Sequence, residues 1–148
     1  MNDYENIDLL LVEDRVEDAE LAILALEQNE ILNNIKWVKD GQQALDFLFK
    51  EGEFTSEKTA SNPRLILLDI RMPRVGGLEV IEAVKNNERT QSIPIVALTT
   101  SREDSDRIKA YELGVNSYIV KPIDFENFSN CVRDLGYYWL TLNESPVK

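Results

Sequence analysis

Hydrophobic residues along the chain gather in short, nearly unbroken runs. Ile7 to Val12, Leu65 to Leu68, Ile93 to Leu98 and Ser117 to Val120, with a weaker run at Asn34 to Val38, each have the length of a strand. Because these runs barely alternate with polar residues, they predict a parallel sheet covered on both faces. Between them, apolar positions recur at helical spacing near Val16 to Asn29, Gly41 to Lys50, Gly77 to Asn87, Glu103 to Leu113 and Asp124 to Leu135. Strand followed by helix, five times over, predicts an α/β fold with a doubly wound, five-stranded parallel sheet.

The punctuation agrees with that division. Gly52 to Asn62 (GEFTSEKTASN) is polar and long, which predicts a flexible surface loop. Gly114 follows a helical run where a left-handed cap is expected, and Pro94 sits early in its strand, where a missing N–H is tolerated. Phe125, Phe128, Val132, Leu135, Trp139 and Leu142 form a helical stripe that outlasts the last expected helix, its early members expected in the core. Gly136 should weaken that helix. Tyr137, Tyr138, Trp139 and Leu140 follow it, and rings at such density predict a partner surface.

Composition narrows the possibilities. The 148 residues suit one domain, residues 1–148, with a core at about 6–136 and a tail over 137–148. No apolar run approaches the ~20 residues needed to cross a bilayer, and the acidic start MNDYENIDLL lacks a basic leader, so the expected location is the cytoplasm, without membrane contact. A net charge of -11 argues against nucleic-acid binding. The sole cysteine, Cys131, reads as a buried small hydrophobe and fits a reducing compartment. With no histidine, the chain has no Ser-His-Asp or Cys-His catalysis and no imidazole metal site, leaving carboxylates, hydroxyls and lysines.

Those groups stand at the strand ends, where an open α/β sheet forms its ligand crevice. Glu13-Asp14 end the first strand, Asp69 the third and Thr99-Thr100 the fourth; Lys121-Pro122 follow the fifth. Two carboxylates about 5 Å apart repel by roughly 3 kcal/mol at an effective dielectric of about 20, so the acids need raised pKa values or a cation. A hard divalent ion, Mg²⁺, suits an all-oxygen site with few protein ligands better than Ca²⁺ does.

The motifs VED, LLDIRMP, LTTS and YIVKP, in this order, resemble the receiver domain of two-component response regulators over residues 6 to 136. The resemblance implies a (βα)5 flavodoxin-like fold with strand order 2-1-3-4-5. It also implies that Asp69 is the phosphoacceptor and that Glu13, Asp14, Asp69 and the backbone carbonyl of Arg71 hold Mg²⁺. Lys121 would pair with the phosphoryl oxygens, Thr99 and Tyr118 would form the switch, and the Lys121–Pro122 bond would be cis. In that switch Thr99 moves toward the phosphoryl group and Tyr118 rotates inward from an exposed position. The implied partner is a sensor histidine kinase; the output is contact with a downstream protein or phosphorelay, since few residues follow the last helix.

YYWLT and the long polar loop resemble the single-domain regulators that work with bacterial phytochromes. This second resemblance implies a homodimer through Tyr138, Trp139 and Leu142. Three departures from the family pattern stand out: Glu13 in place of a first aspartate, Arg71 two residues beyond the acceptor, and Gly76-Gly77 where Asp-Gly is common. An aspartyl-nucleophile phosphatase is the competing enzyme class, but it needs a second acid where this chain has Arg71. The remaining alternative is an interaction module that keeps the fold without phosphorylation.

Overall fold

The computed structural model describes residues 7–28, 34–51 and 62–146. Strands β1 (Leu9–Val12), β2 (Ile35–Val38), β3 (Leu65–Leu68), β4 (Ile95–Thr99) and β5 (Ser117–Val120) alternate with helices α1 (Val16–Gln28), α2 (Gly41–Phe49), α3 (Gly77–Lys85), α4 (Asp104–Leu113) and α5 (Phe125–Tyr137). All strand pairs are parallel, in the order β2-β1-β3-β4-β5. This is the doubly wound, flavodoxin-like sheet that the sequence predicts. Every residue of β1, β3 and β4 is buried, whereas the edge strands β2 and β5 are mostly half-buried.

Side chains alternate across the sheet and so divide the core into two layers. Leu10, Val12, Ile66, Leu68, Ile95 and Ala97 pack with Phe47 of α2 and with Val80, Ile81 and Val84 of α3. Leu9, Leu11, Leu65, Leu67, Val96 and Leu98 point the other way, onto Ala19, Ala22 and Leu26 of α1 and onto Phe128 and Val132 of α5. Each fully buried leucine contributes roughly 1.5–3 kcal/mol, so this two-sided packing gives the strand ends a rigid base.

Local chemistry sets the boundaries. Asp40 and Asp124 cap α2 and α5 by accepting the N–H groups of Gln43 and Asn127. Gly114 ends α4 at φ 111°, a left-handed conformation that disfavours other residues. Pro94 lies just outside its strand: it has no N–H to donate, its carbonyl accepts from Ile66, and β4 starts one residue later and runs through Thr99.

Two expectations are corrected at the C-terminal end. Gly136 does not interrupt the helix; it is buried within α5, which runs into a π-helical segment at Tyr138–Leu142. That extension is held by packing, with Leu140 buried on the α1–α5 side and its carbonyl accepting Nη2 of Arg64 at 2.8 Å. Phe125, expected in the core, is 57% exposed at the first residue of α5. Asn29 and most of the polar loop, residues 52–61, lie outside the described residues.

Candidate functional site

The strand order reverses between β1 and β3, and the crevice there is where the chemistry converges. Each key residue hangs from the sheet by one further ladder hydrogen bond. The N–H of Glu13 donates to Val38, that of Asp69 to Val12 and that of Lys121 to Thr99, at 3.1, 3.0 and 2.7 Å. Backbone positions are therefore fixed by the same ladder that builds the sheet. Gly77 brings α3 against the end of β3: a Cβ on it would lie 2.5 Å from the Asp69 carbonyl oxygen.

Glu13, Asp69 and Lys121 are 4%, 3% and 6% exposed, so the pocket buries charge and must compensate it. Lys121 Nζ donates to Glu13 Oε1 at 2.7 Å, Asp18 Oδ2 at 2.8 Å and Asp69 Oδ2 at 3.4 Å. Burial pushes the Glu13 carboxyl up to about 7, against the opposing pull of Lys121. Burial would also lower the Lys121 pKa, but its bonds to Asp18 and Glu13 and the charge of Asp69 outweigh that and raise it.

Glu13, Asp14 and Asp69 each bring a carboxylate oxygen to a common point, all within 4.8 Å of one another, with Asp14 on the solvent side. Three hard oxygen donors, one of them open to water, fit a small divalent cation that keeps part of its hydration shell. Arg71 sends its side chain elsewhere. Its N–H donates to Asp69 Oδ1 at 3.2 Å, while its guanidinium reaches Asp106 at 2.8 Å and Glu103 at 3.3 Å, at the start of α4.

Thr99 is fully buried and its hydroxyl accepts the N–H of Ser101 at 3.2 Å. Tyr118 is not in the exposed position expected for a resting switch. It is half-buried against the core and its hydroxyl donates to the Ser101 carbonyl at 3.2 Å. Ser101 in turn donates its hydroxyl to Asp106 at 2.5 Å. One hydrogen-bonded chain thus joins Arg71, Asp106, Ser101 and both predicted switch residues.

Comparison with known proteins decides the family. The response regulator receiver domain matches residues 9–133. The chain belongs to this family. It is 43% identical to the probable methanogenesis regulatory protein FilR2 of Methanothrix harundinacea over 139 residues, covering 93% of this chain and 86% of that one. It is 36% identical to response regulator Rcp1 of Synechocystis over 139 residues, or 94% and 92% of the two chains. The Mn²⁺-bound form of Rcp1 superposes with a TM-score of 0.87 at 34% identity, covering 95% of this chain and 99% of that one. The phosphorylated cyanobacterial phytochrome response regulator RcpA superposes with a TM-score of 0.88 at 33% identity, again over 95% and 99%.

Within this receiver, a further predicted feature is overturned. The Lys121–Pro122 bond is not cis, since the described residues contain no cis peptide. Trans is the lower-energy form of an X–Pro bond by about 0.5–1 kcal/mol, and Lys121 reaches all three carboxylates from it.

Two supporting residues went unnoticed in the sequence, and a third was misread. Asp18 was marked only by being an acid in the first turn of the helix after Glu13-Asp14. Trp37 donates its indole N–H to the Glu13 carbonyl at 2.9 Å, a long-range contact with no local signal. Gly77 was read as a loop variant rather than as a close approach. In the tail, Tyr138 and Leu142 are 50% and 55% exposed, while Trp139 packs partly against the core. Cys131 is likewise half-buried rather than buried.

Proposed function

We propose that this receiver takes a phosphoryl group from a sensor histidine kinase onto Asp69 and signals by phosphorylation-dependent protein contact or phosphorelay. The observation that carries the reading is the buried Asp69 carboxylate, shared between Lys121 and a three-carboxylate cluster at the switch point of the sheet. An Asp69 oxygen attacks the phosphorus of phosphohistidine, the P–N bond breaks, and the imidazole leaves as an acyl phosphate forms. A Mg²⁺ held by Glu13, Asp14, Asp69 and the Arg71 carbonyl would supply charge neutralisation for the attacking and transferring oxygens. Lys121 keeps Asp69 oriented and follows the charge onto the phosphoryl group. Thr99 exchanges its Ser101 contact for a phosphoryl oxygen, and Tyr118 reports the change to α4 through Ser101.

The likeness to RcpA supports a phytochrome-type kinase as phosphodonor, with the chain at work in the cytoplasm. Among the described residues, no helix is long and apolar enough to cross a membrane. The exposed Tyr138 and Leu142, beside half-buried Trp139, support a homodimer through the tail. Incubation with Mg²⁺ and acetyl phosphate, followed by intact-mass measurement, should add one phosphoryl group to the wild type and none to Asp69→Asn. An unmodified wild type would refute phosphoacceptance and leave a phosphorylation-independent interaction module.

A further inference from the structure

Lys121 has three ammonium protons and three carboxylates to receive them. Two of these acids are needed elsewhere in the proposed reaction. Glu13 belongs to the oxygen cluster that suits a divalent cation, and Asp69 is the acceptor. Asp18 belongs to neither group. Its Oδ2 receives Lys121 at 2.8 Å and Arg15 Nε at 3.4 Å, and its side chain is 21% exposed. It stands in the wall between two spaces. One is the small void beneath Glu13 and Asp69, and the other is a 340 Å³ cavity lined by Arg15, Thr100, Lys121 and Phe128.

We propose that Asp18 is a positioning residue for phosphoryl transfer, retaining the Lys121 ammonium at the pocket wall when Glu13 turns to the cation and Asp69 to the phosphorus. This rests on the phosphoacceptor reading above. A nearly buried ammonium that lost Glu13 and Asp69 together, with no third acid, would be left without charge compensation and would leave the pocket or oppose cation entry. With Asp18 in place it keeps one short, charge-assisted bond, and its other protons stay aimed where the phosphoryl oxygens arrive. The titratable groups facing Asp18 are Lys121 and Arg15, which it pairs with, and Glu13 and Asp69 across the small void.

The test turns on a sign. At saturating Mg²⁺, Asp18→Asn removes a negative charge from the path of an anionic phosphodonor, so simple electrostatics predicts faster labelling of Asp69 by acetyl phosphate. Positioning predicts labelling slower by roughly tenfold, the scale of one lost charge-assisted hydrogen bond. It also predicts partial recovery in Asp18→Glu and no further slowing when Asp18→Asn is added to Lys121→Met.

The second readout is the Lys121 ammonium signal in ¹H–¹⁵N spectra, assigned by its loss in Lys121→Met. It should survive Mg²⁺ addition in the wild type. In Asp18→Asn it should be present without Mg²⁺ and vanish with it, while backbone signals report an intact fold. Labelling at or above the wild-type rate in Asp18→Asn, or an ammonium signal that persists there with Mg²⁺, would overturn the proposal. A wild type that is never labelled refutes the phosphoacceptor reading instead, and the ammonium signal still decides the placement of Lys121.

Discussion

The carboxylate pocket and the C-terminal tail solve opposite problems within one fold: the pocket follows the end of β3 at Asp69, and the tail meets Arg64 just before its start. The pocket buries charge, and its buried carboxylates share the single ammonium of Lys121. The tail does the reverse: Tyr137, Tyr138 and Leu142 are about half exposed, and Tyr138 meets Trp139 edge to face at 5.2 Å. Charge buried in a closed set is cooperative, because removing one member leaves the others uncompensated. Apolar rings on a surface draw most of their value from what covers them.

The strongest way to break the pocket is to remove its ammonium. Lys121→Met should cost about 3–5 kcal/mol in denaturant unfolding without metal, the scale of a buried pair stripped of one partner. Mg²⁺ should restore part of that loss. A smaller effect should follow pH. Because the folded Glu13 carboxyl is raised from 4.5 to about 7, its contribution is full below about 4.5 and is lost as pH rises through about 7. The stability difference between Glu13→Gln and wild type should therefore widen in favour of the variant over that window, and a pH-independent difference would contradict it.

Gly77→Ala should cost about 1–3 kcal/mol, because the new methyl meets the Asp69 backbone and something must shift. Slower labelling of Asp69 in the variant would show that α3 holds the acceptor in place. The tail should respond least. Tyr138→Ala combined with Leu142→Ala should change unfolding by less than about 1 kcal/mol, as expected for exposed positions. Sedimentation should nevertheless show more monomer, and an unchanged dimer would remove the tail from the interface. Trp139→Ala is the poorer probe, since that ring also packs on the core.

How legible each region was in the sequence follows from the same contrast. β1 and β3 are buried on both faces, so their unbroken apolar runs announced them, and the polar residue after each run announced the site. Glu13, Asp69 and Lys121 could be named because each follows the end of a strand and falls in a motif that resembles the receiver pattern. Asp18, Trp37 and Gly77 could not, since each acts through a residue far away in the chain or through the absence of a side chain. Tyr118 was placed on the correct strand, but its inward orientation depends on Ser101 and Asp106 across the β4–α4 turn. Gly136 misled because helix propensity is weak beside the packing of Leu140 and Trp139.

The indole of Trp37 makes the pocket optically addressable. Its N–H ends on the carbonyl of Glu13, and its ring lies under the Lys39 ammonium, 5.4 Å from the centroid. Any rearrangement of the acid turn changes the polarity and hydrogen bonding of that chromophore. The only other tryptophan, Trp139, lies in the tail. In Trp139→Phe protein, titration of a divalent cation should therefore register as a saturable change in emission from one ring, with no label attached.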